Sequence, residues 1–435
     1  MNLISHQTNS LNGEVICPGD KSISQRILII GFLLNSRIEI KGFLDAEDPN
    51  STLTALNGIG AAIHKENGLI YLNQRDDLFK SPSENLNLGN SGTGMRLILG
   101  LMSGLGIKAT LVGDKSLTNR PMSRVINPLK AMGVEIESND GMAPIKILSA
   151  NICNNFEYEM PIASAQVKSC LMLAALASNN SISIRESKTT RDHTERMIEY
   201  FMGDIKYGDN ENKGLIKLNA KNLTPRESYE IIGDFSSASF ITVASLISPE
   251  SEVTIKNVGL NSTRNGLLKV LALMGGDIEI KNVKNVCNEK SGDILVKSSN
   301  LHAIDIPEDI IPNIIDEIPI LSIAAAFAEG TTTIKNAEEL RVKESDRINA
   351  IAEGLKKLNI NHEVFDDGLS ITGKSSLIDI NEEIDSFDDH RIAMSFLIAG
   401  IRSKNGLRVK NCKNIETSFP HFKDIMNSLG MKINE

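Results

Sequence analysis

One pattern recurs six times along the 435 residues: a polar or Gly/Ser-rich start, then a helix-length stretch dense in Ala, Leu, Ile and Met. The copies are GDKSISQRILIIGFL from Gly19, GNSGTGMRLILGLMSG from Gly89, ASAQVKSCLMLAALAS from Ala163, GDFSSASFITVASLIS from Gly233, IDEIPILSIAAAFAEG from Ile315 and FDDHRIAMSFLIAG from Phe387. A second, amphipathic helix follows each. These close on a Gly that admits φ > 0 (Gly60, Gly133, Gly203, Gly275 and Gly430), with Asn359 in that place in the fifth copy. Strand-like runs such as VEIES, DIEIK and ATLVG separate the helices. A helix that is apolar all round is buried all round, so the first type belongs to interiors and the second covers surfaces. The chain reads as six α+β units, grouped three and three into two domains, and the absence of a Pro/Ser linker predicts that these domains lie close together.

A hydrophobic fraction of 41% fills two or three cores, and 23% charged residues is ordinary for a soluble protein. With 46 Lys and Arg against 55 Asp and Glu, the net charge of −9 argues against a nucleic-acid coat or an anionic-membrane binder. It leaves room for a small anion held by a local cluster of cations. No Trp and only 4% aromatics leave no stacking platform for single strands. Five scattered cysteines, none in CxxC spacing, indicate neither a disulfide framework nor a zinc knuckle and fit a reducing compartment. The longest apolar run, Ile27 to Leu34, is too short to span a bilayer, and the polar start is no signal peptide. A cytoplasmic location is expected.

Chemistry-bearing residues collect at the starts of the apolar helices, where unpaired N–H groups and the helix dipole favour anions. GDKSISQR places Lys21, Ser22 and Arg26 together, but it lacks the upstream glycines of a P-loop and by itself fits a capped helix. GNSGTGMR offers three glycines beside Ser91, Thr93 and Arg96, a composition that lets a phosphate or carboxylate approach the backbone. TNRPMSRV adds Arg120 and Arg124, and TTRDHTERM adds Arg191 and Arg196. Later, ELRVKESDR brings Lys343, Glu344 and Arg347 within a turn, and SFDDHR sets Asp389, His390 and Arg391 at a helix start. IDEIP places Asp316 and Glu317 before Pro319, where a carboxylate serves either as an N-cap or as a base. Capping alone explains the acid but not the accumulation of Lys and Arg at the equivalent starts.

The ordered set GDKS…R, LGNSGTGMR, RPM, ASAQVKS, RDHTERM, GDFSSA, IDEIP, ELRVKESDR, DDHRIAM and SFP, spread over nearly the whole chain, resembles the 5-enolpyruvylshikimate-3-phosphate synthase family. ASAQVKS, TRDHTE and TSFP look more like its bacterial class II branch than class I. The resemblance implies an α/β fold of two inside-out domains, each of three βαβαββ repeats, with the active site in the interdomain cleft. One domain would span residues 20–232, the other residues 1–19 plus 233–435, with a double crossover near 18–20 and 233–235. It implies transfer of the enolpyruvyl group of phosphoenolpyruvate to the 5-hydroxyl of shikimate 3-phosphate by addition then elimination, a step toward chorismate and the aromatic amino acids. No metal or other cofactor is implied, and the partners expected are these two small molecules, with no nucleic acid, no membrane and a monomeric state.

Carried over by motif, Lys21, Ser22, Arg26, Ser164, Gln166 and Arg191 would hold shikimate 3-phosphate, Ala165 through its backbone, with Asp316 and Lys343 near its hydroxyls. Lys21, Gly92, Arg120, Gln166, Arg347 and Arg391 would hold phosphoenolpyruvate. Asp316 would take the proton of the 5-hydroxyl, and Glu344 with Lys21 would move the proton at the methylene carbon. Three positions depart from the class I pattern: Thr417 stands where a Lys precedes TFP, Leu97 where a Pro follows the motif arginine, and Ala165 where a Ser is common. In the family, glyphosate competes for the phosphoenolpyruvate site, and an Ala at the place of Gly92 is one route to tolerance; Gly92 is retained, so inhibition is expected. Two other readings stay open: the sister transferase acting on UDP-N-acetylglucosamine, which presents a Cys before its RP motif where GDKSLTNRP has none, and a non-catalytic binder on the same scaffold, which would have lost some of Lys21, Asp316, Glu344 or Arg391.

Overall fold

The computed structural model describes residues 1–75, 79–219, 223–374, 376–379 and 382–435. The six apolar stretches form helices α1 (Lys21–Leu34), α2 (Gly92–Leu105), α3 (Ala165–Ala177), α4 (Phe235–Ile247), α5 (Ile318–Ala326) and α6 (His390–Ala399). Five of them begin at a side chain that accepts an otherwise orphaned backbone N–H: Asp20, Ser91, Ser164, Asp234 and Asp389. Such caps stabilise a helix by about 1 kcal/mol each. α5 starts without one.

The described residues divide into two compact units, one of Gly19–Ile231 with Val286–Glu289, the other of Met1–Pro18, Ile232–Asn285 and Lys290–Glu435. The unit built around Gly19–Ile231 carries three four-stranded sheets of one design, in which a parallel pair is extended by two antiparallel strands. Leu86–Asn87 pairs parallel with Ala109–Val112, then Met142–Ala150 and Val134–Asn139 follow. Phe156–Glu159, Ile182–Arg185, Leu215–Asn219 and Asp204–Tyr207 repeat that order. In the third sheet, Ile38–Lys41, Leu69–Leu72 and Ile63–Glu66 take their parallel partner, Ser228–Glu230, from the far end of the unit.

The other unit repeats the design with borrowed strands. Asn12–Ile16 is the parallel partner of Glu252–Gly259, which continues to Glu289–Lys297 and Asp277–Val286. Leu3–His6 lies between Leu407–Lys410 and Lys432–Asn434, with Ile384–Asp385 at the edge. Thr331–Ile334, Gly368–Thr372 and Asn361–Phe365 form a three-stranded sheet, extended by a parallel bridge between Asp305 and Thr333.

Within each unit the apolar helices pack on one another and the sheets lie outside. α2 and α3 approach so closely that a Cβ on Gly100 would lie 2.2 Å from the Cys170 carbonyl oxygen. Outer strands alternate buried and exposed residues, as in Val134–Asn139. Burial pushes the Cys170 thiol up to about 12, and none of the five cysteines is in a disulfide. Among the described residues no helix is long and apolar enough to cross a membrane.

The left-handed turn expected at Gly203 falls instead on Met202, at φ 63°. Gly203 is needed there for space, since a Cβ would meet Ile198 Cγ2 at 2.2 Å.

Candidate active site

In the unit around Gly19–Ile231, the starts of α1, α2 and α3 each present functional groups. Lys21 opens α1 with its Nζ 2.9 Å from Asp48 Oδ2. One turn on, Arg26 is 3% exposed; its Nε donates to Thr194 Oγ1 at 2.8 Å and its Nη2 to Ser169 Oγ at 3.1 Å. Its Nη1 reaches the Ser22 carbonyl at 3.1 Å, closing the i,i+4 pair through the backbone. Ser169 and Thr194 bond each other at 2.7 Å.

Gly92 is the first residue of α2, and a Cβ there would lie 3.1 Å from Nη1 of both Arg96 and Arg120. Arg96 donates to Gln166 Oε1 at 2.6 Å, and Gln166 Nε2 donates to Thr93 Oγ1 at 2.8 Å, tying α3 to the start of α2. Arg120 donates to the Asn90 carbonyl at 3.3 Å and to Ser116 Oγ at 3.2 Å. Apart from the Lys21–Asp48 pair, each of these bonds ends on a neutral oxygen, so it orients a cation without cancelling its charge. Ser164 caps α3, and Ala165 is its first residue, where backbone N–H groups have no partner within the helix. Arg191, itself half-buried, lies in the segment between Ile182–Arg185 and the helix His193–Tyr200.

Beneath these groups sits a buried ionic trio. Lys168 of α3 is 1% exposed, with Nζ 2.7 Å from Glu195 Oε1 and 3.1 Å from Glu186 Oε2. Burial pulls the ammonium down, but the two carboxylates outweigh it and its pKa is raised. Burial raises the Glu195 carboxyl more than Lys168 lowers it. Glu186 also accepts from Thr190 Oγ1 at 2.7 Å, beside Arg191, and Glu195 adjoins Thr194, which holds Arg26.

The second cluster lies in the other unit. Arg347 is 1% exposed and faces three carboxylates: Nε to Asp389 Oδ2 at 2.8 Å, Nη2 to Glu344 Oε2 at 2.7 Å and Nη1 to Asp316 Oδ1 at 3.4 Å. Burial alone would lower its pKa; Asp389, Glu344 and Asp316 hold it above the usual arginine value. Lys343 Nζ is 3.4 Å from the same Asp316 oxygen and 3.0 Å from Glu339. Arg391 donates to the Asp316 carbonyl at 2.7 Å, Glu317 Oε1 at 3.4 Å and Ser236 Oγ at 3.2 Å. Asp316 is no helix cap: Glu317 holds that position without a capping bond, and the Asp316 side chain turns to Lys343 and Arg347. Of the departures, Thr417 is buried and donates to the Asn414 carbonyl, and Leu97 lies fully buried in α2.

The structure thus brings Lys21, Ser22 and Arg26 together, and Gly92 with Arg120 and the Gln166–Arg96 pair. It gathers Asp316, Lys343, Glu344, Arg347 and Arg391 in the other cluster. Sequence reasoning had no means of finding Asp48, Ser169 or Thr194 as partners, because they approach from 27, 143 and 168 residues away. Lys168 did leave a signal, a lone charge inside the apolar run QVKSCLML.

The family model for EPSP synthase (3-phosphoshikimate 1-carboxyvinyltransferase) matches residues 5–426. A 3-phosphoshikimate 1-carboxyvinyltransferase of Petrotoga mobilis is 47% identical over 426 residues, covering 97% of this chain and 98% of its own. That of Legionella pneumophila strain Lens is 42% identical over 438 residues, covering 100% and 99%. The solved EPSP synthase of Acinetobacter baumannii superposes over 100% of both chains with a TM-score of 0.86 at 36% identity. Agreement of this extent, in motif order, sequence and fold, makes the chain a member of the EPSP synthase family.

Proposed function

We propose that the protein transfers the enolpyruvyl group of phosphoenolpyruvate to the 5-hydroxyl of shikimate 3-phosphate and releases inorganic phosphate. In the addition step the methylene carbon gains a proton, the 5-oxygen bonds to the neighbouring carbon, and Asp316 takes the hydroxyl proton. In the elimination step a proton leaves the new methyl group and the C–O bond to phosphate breaks. Glu344 and Lys21 serve the carbon-bound proton, which needs an acid first and a base afterwards. Lys21, Ser22, Arg26, Ser164, Ala165, Gln166, Arg191, Asp316 and Lys343 bind shikimate 3-phosphate. Lys21, Gly92, Arg120, Gln166, Arg347 and Arg391 bind phosphoenolpyruvate and stabilise an intermediate that carries phosphate and carboxylate together. The protein works as a cytoplasmic monomer in this reading. The observation that carries it is the placement of Asp316 and Glu344 on one buried guanidinium, that of Arg347, with Lys343 alongside.

Phosphate release should follow from phosphoenolpyruvate with shikimate 3-phosphate and not with UDP-N-acetylglucosamine. Release with the nucleotide sugar alone would assign the chain to the sister chemistry.

Glyphosate should inhibit competitively against phosphoenolpyruvate. A methyl group on Gly92 would press on the Arg96 and Arg120 guanidiniums. Gly92→Ala should therefore raise the ratio of the glyphosate inhibition constant to the phosphoenolpyruvate KM by roughly tenfold, the size of a 1.4 kcal/mol clash. An insensitive wild type or an unchanged ratio in the variant would place the determinant elsewhere.

A further inference from the structure

Ser236, near the start of α4, is 6% exposed and makes three side-chain hydrogen bonds with charged groups. Its hydroxyl donates to Glu317 Oε1 and accepts from Arg264 Nη2 at 2.8 Å and Arg391 Nη2 at 3.2 Å. A serine hydroxyl has one proton and two lone pairs, so this oxygen is used to capacity. Glu317 is fully buried and also faces Arg391 Nη1 at 3.4 Å. At the backbone end of the same residue, the Arg391 N–H is accepted by Asp389 Oδ1 at 2.9 Å. The arginine is thus fixed at its backbone N–H and on both terminal guanidinium nitrogens, Nη1 and Nη2, and one of those anchors is a neutral hydroxyl outside the binding and catalytic set.

We propose that Ser236, braced by Glu317 and Arg264, is a positioning residue that sets the direction of the Arg391 guanidinium toward the anionic substrate. This rests on the reading of Arg391 as a phosphoenolpyruvate ligand. Directed hydrogen bonds to a charged group are worth more than neutral ones. Freed of this anchor, Arg391 spreads over more rotamers and must be ordered again whenever the anion binds.

Ser236→Ala removes one oxygen and opens little space. It should raise the phosphoenolpyruvate KM by roughly tenfold, leave the KM for shikimate 3-phosphate within about twofold and change kcat little, the signature of lost ground-state binding. Because Ser236 acts through Arg391, the same substitution in an Arg391→Lys background should add less than about twofold, a coupling read by a double-mutant cycle. Equal rises in both KM values, an unchanged phosphoenolpyruvate KM, or full additivity with Arg391→Lys would each overturn the assignment. Should the alanine variant not fold, Ser236→Gly deletes the same hydroxyl and is held to the same three outcomes. The wild type is assayed first with both substrates: absence of turnover there would defeat the proposed function, whereas normal turnover with an insensitive Ser236 variant would defeat this inference alone.

Discussion

Asp316→Ala is expected to lower kcat by at least about a hundredfold, the usual contribution of a positioned general base, while the protein remains folded and retains phosphoenolpyruvate. Arg347 would keep Glu344 and Asp389, Lys343 would keep Glu339, and Arg391 uses the backbone carbonyl of residue 316, which alanine preserves. Removal of this carboxylate therefore subtracts a proton acceptor without dispersing the cations around it. Steady-state kinetics alongside a thermal melt decide the matter: a variant with more than about a tenth of wild-type kcat would exclude Asp316 as the base.

Lys168→Met should cost about 3–5 kcal/mol of stability at neutral pH, because it strands Glu186 and Glu195 in the interior without their cation. Methionine fills most of the volume, so the loss is electrostatic rather than a cavity effect. The sign of its pH dependence follows from the carboxyl groups. Burial already raises Glu195 above its ordinary value, and without Lys168 the opposing pull disappears. The folded variant then binds protons that the unfolded chain releases, so its stability deficit shrinks as pH falls toward the ordinary carboxyl range and grows as pH rises. Urea midpoints at pH 7.5 and 5.5 measure this. A deficit below about 1 kcal/mol, the scale of an exposed pair, would mean that the trio is solvated in solution.

The sixfold recurrence was readable because burial on all sides leaves a composition signal in one stretch of chain. The helix starts were readable too, since Asp20, Ser91, Ser164, Asp234 and Asp389 act on N–H groups two or three residues away. Strand pairing was not: nothing within Ile38–Lys41 announces that its parallel neighbour is Ser228–Glu230. For the site, the cations were visible as residue types, and motif order supplied their roles. Their orientation depends on contacts such as Arg26 with Thr194 or Arg391 with Ser236, which join distant segments and have no local period. Asp316 shows the difference most directly, since a carboxylate before a helix suggests a cap, and only the approach of Lys343 and Arg347 turns it toward chemistry.

The borrowed strands have a consequence for how the chain is made. Every described sheet strand within Gly19–Ile231 has its partners inside that stretch, so these sheets can close as soon as Ser228–Glu230 has left the ribosome. Leu3–His6 and Asn12–Ile16 emerge ahead of that stretch, yet they pair with Leu407–Lys410, Lys432–Asn434 and Glu252–Gly259. At ordinary elongation rates Leu3–His6 waits on the order of tens of seconds for its neighbours. During that interval the nascent chain trails an unpaired strand edge from an otherwise folded body, a ready target for chaperones or for the same strand on another nascent chain.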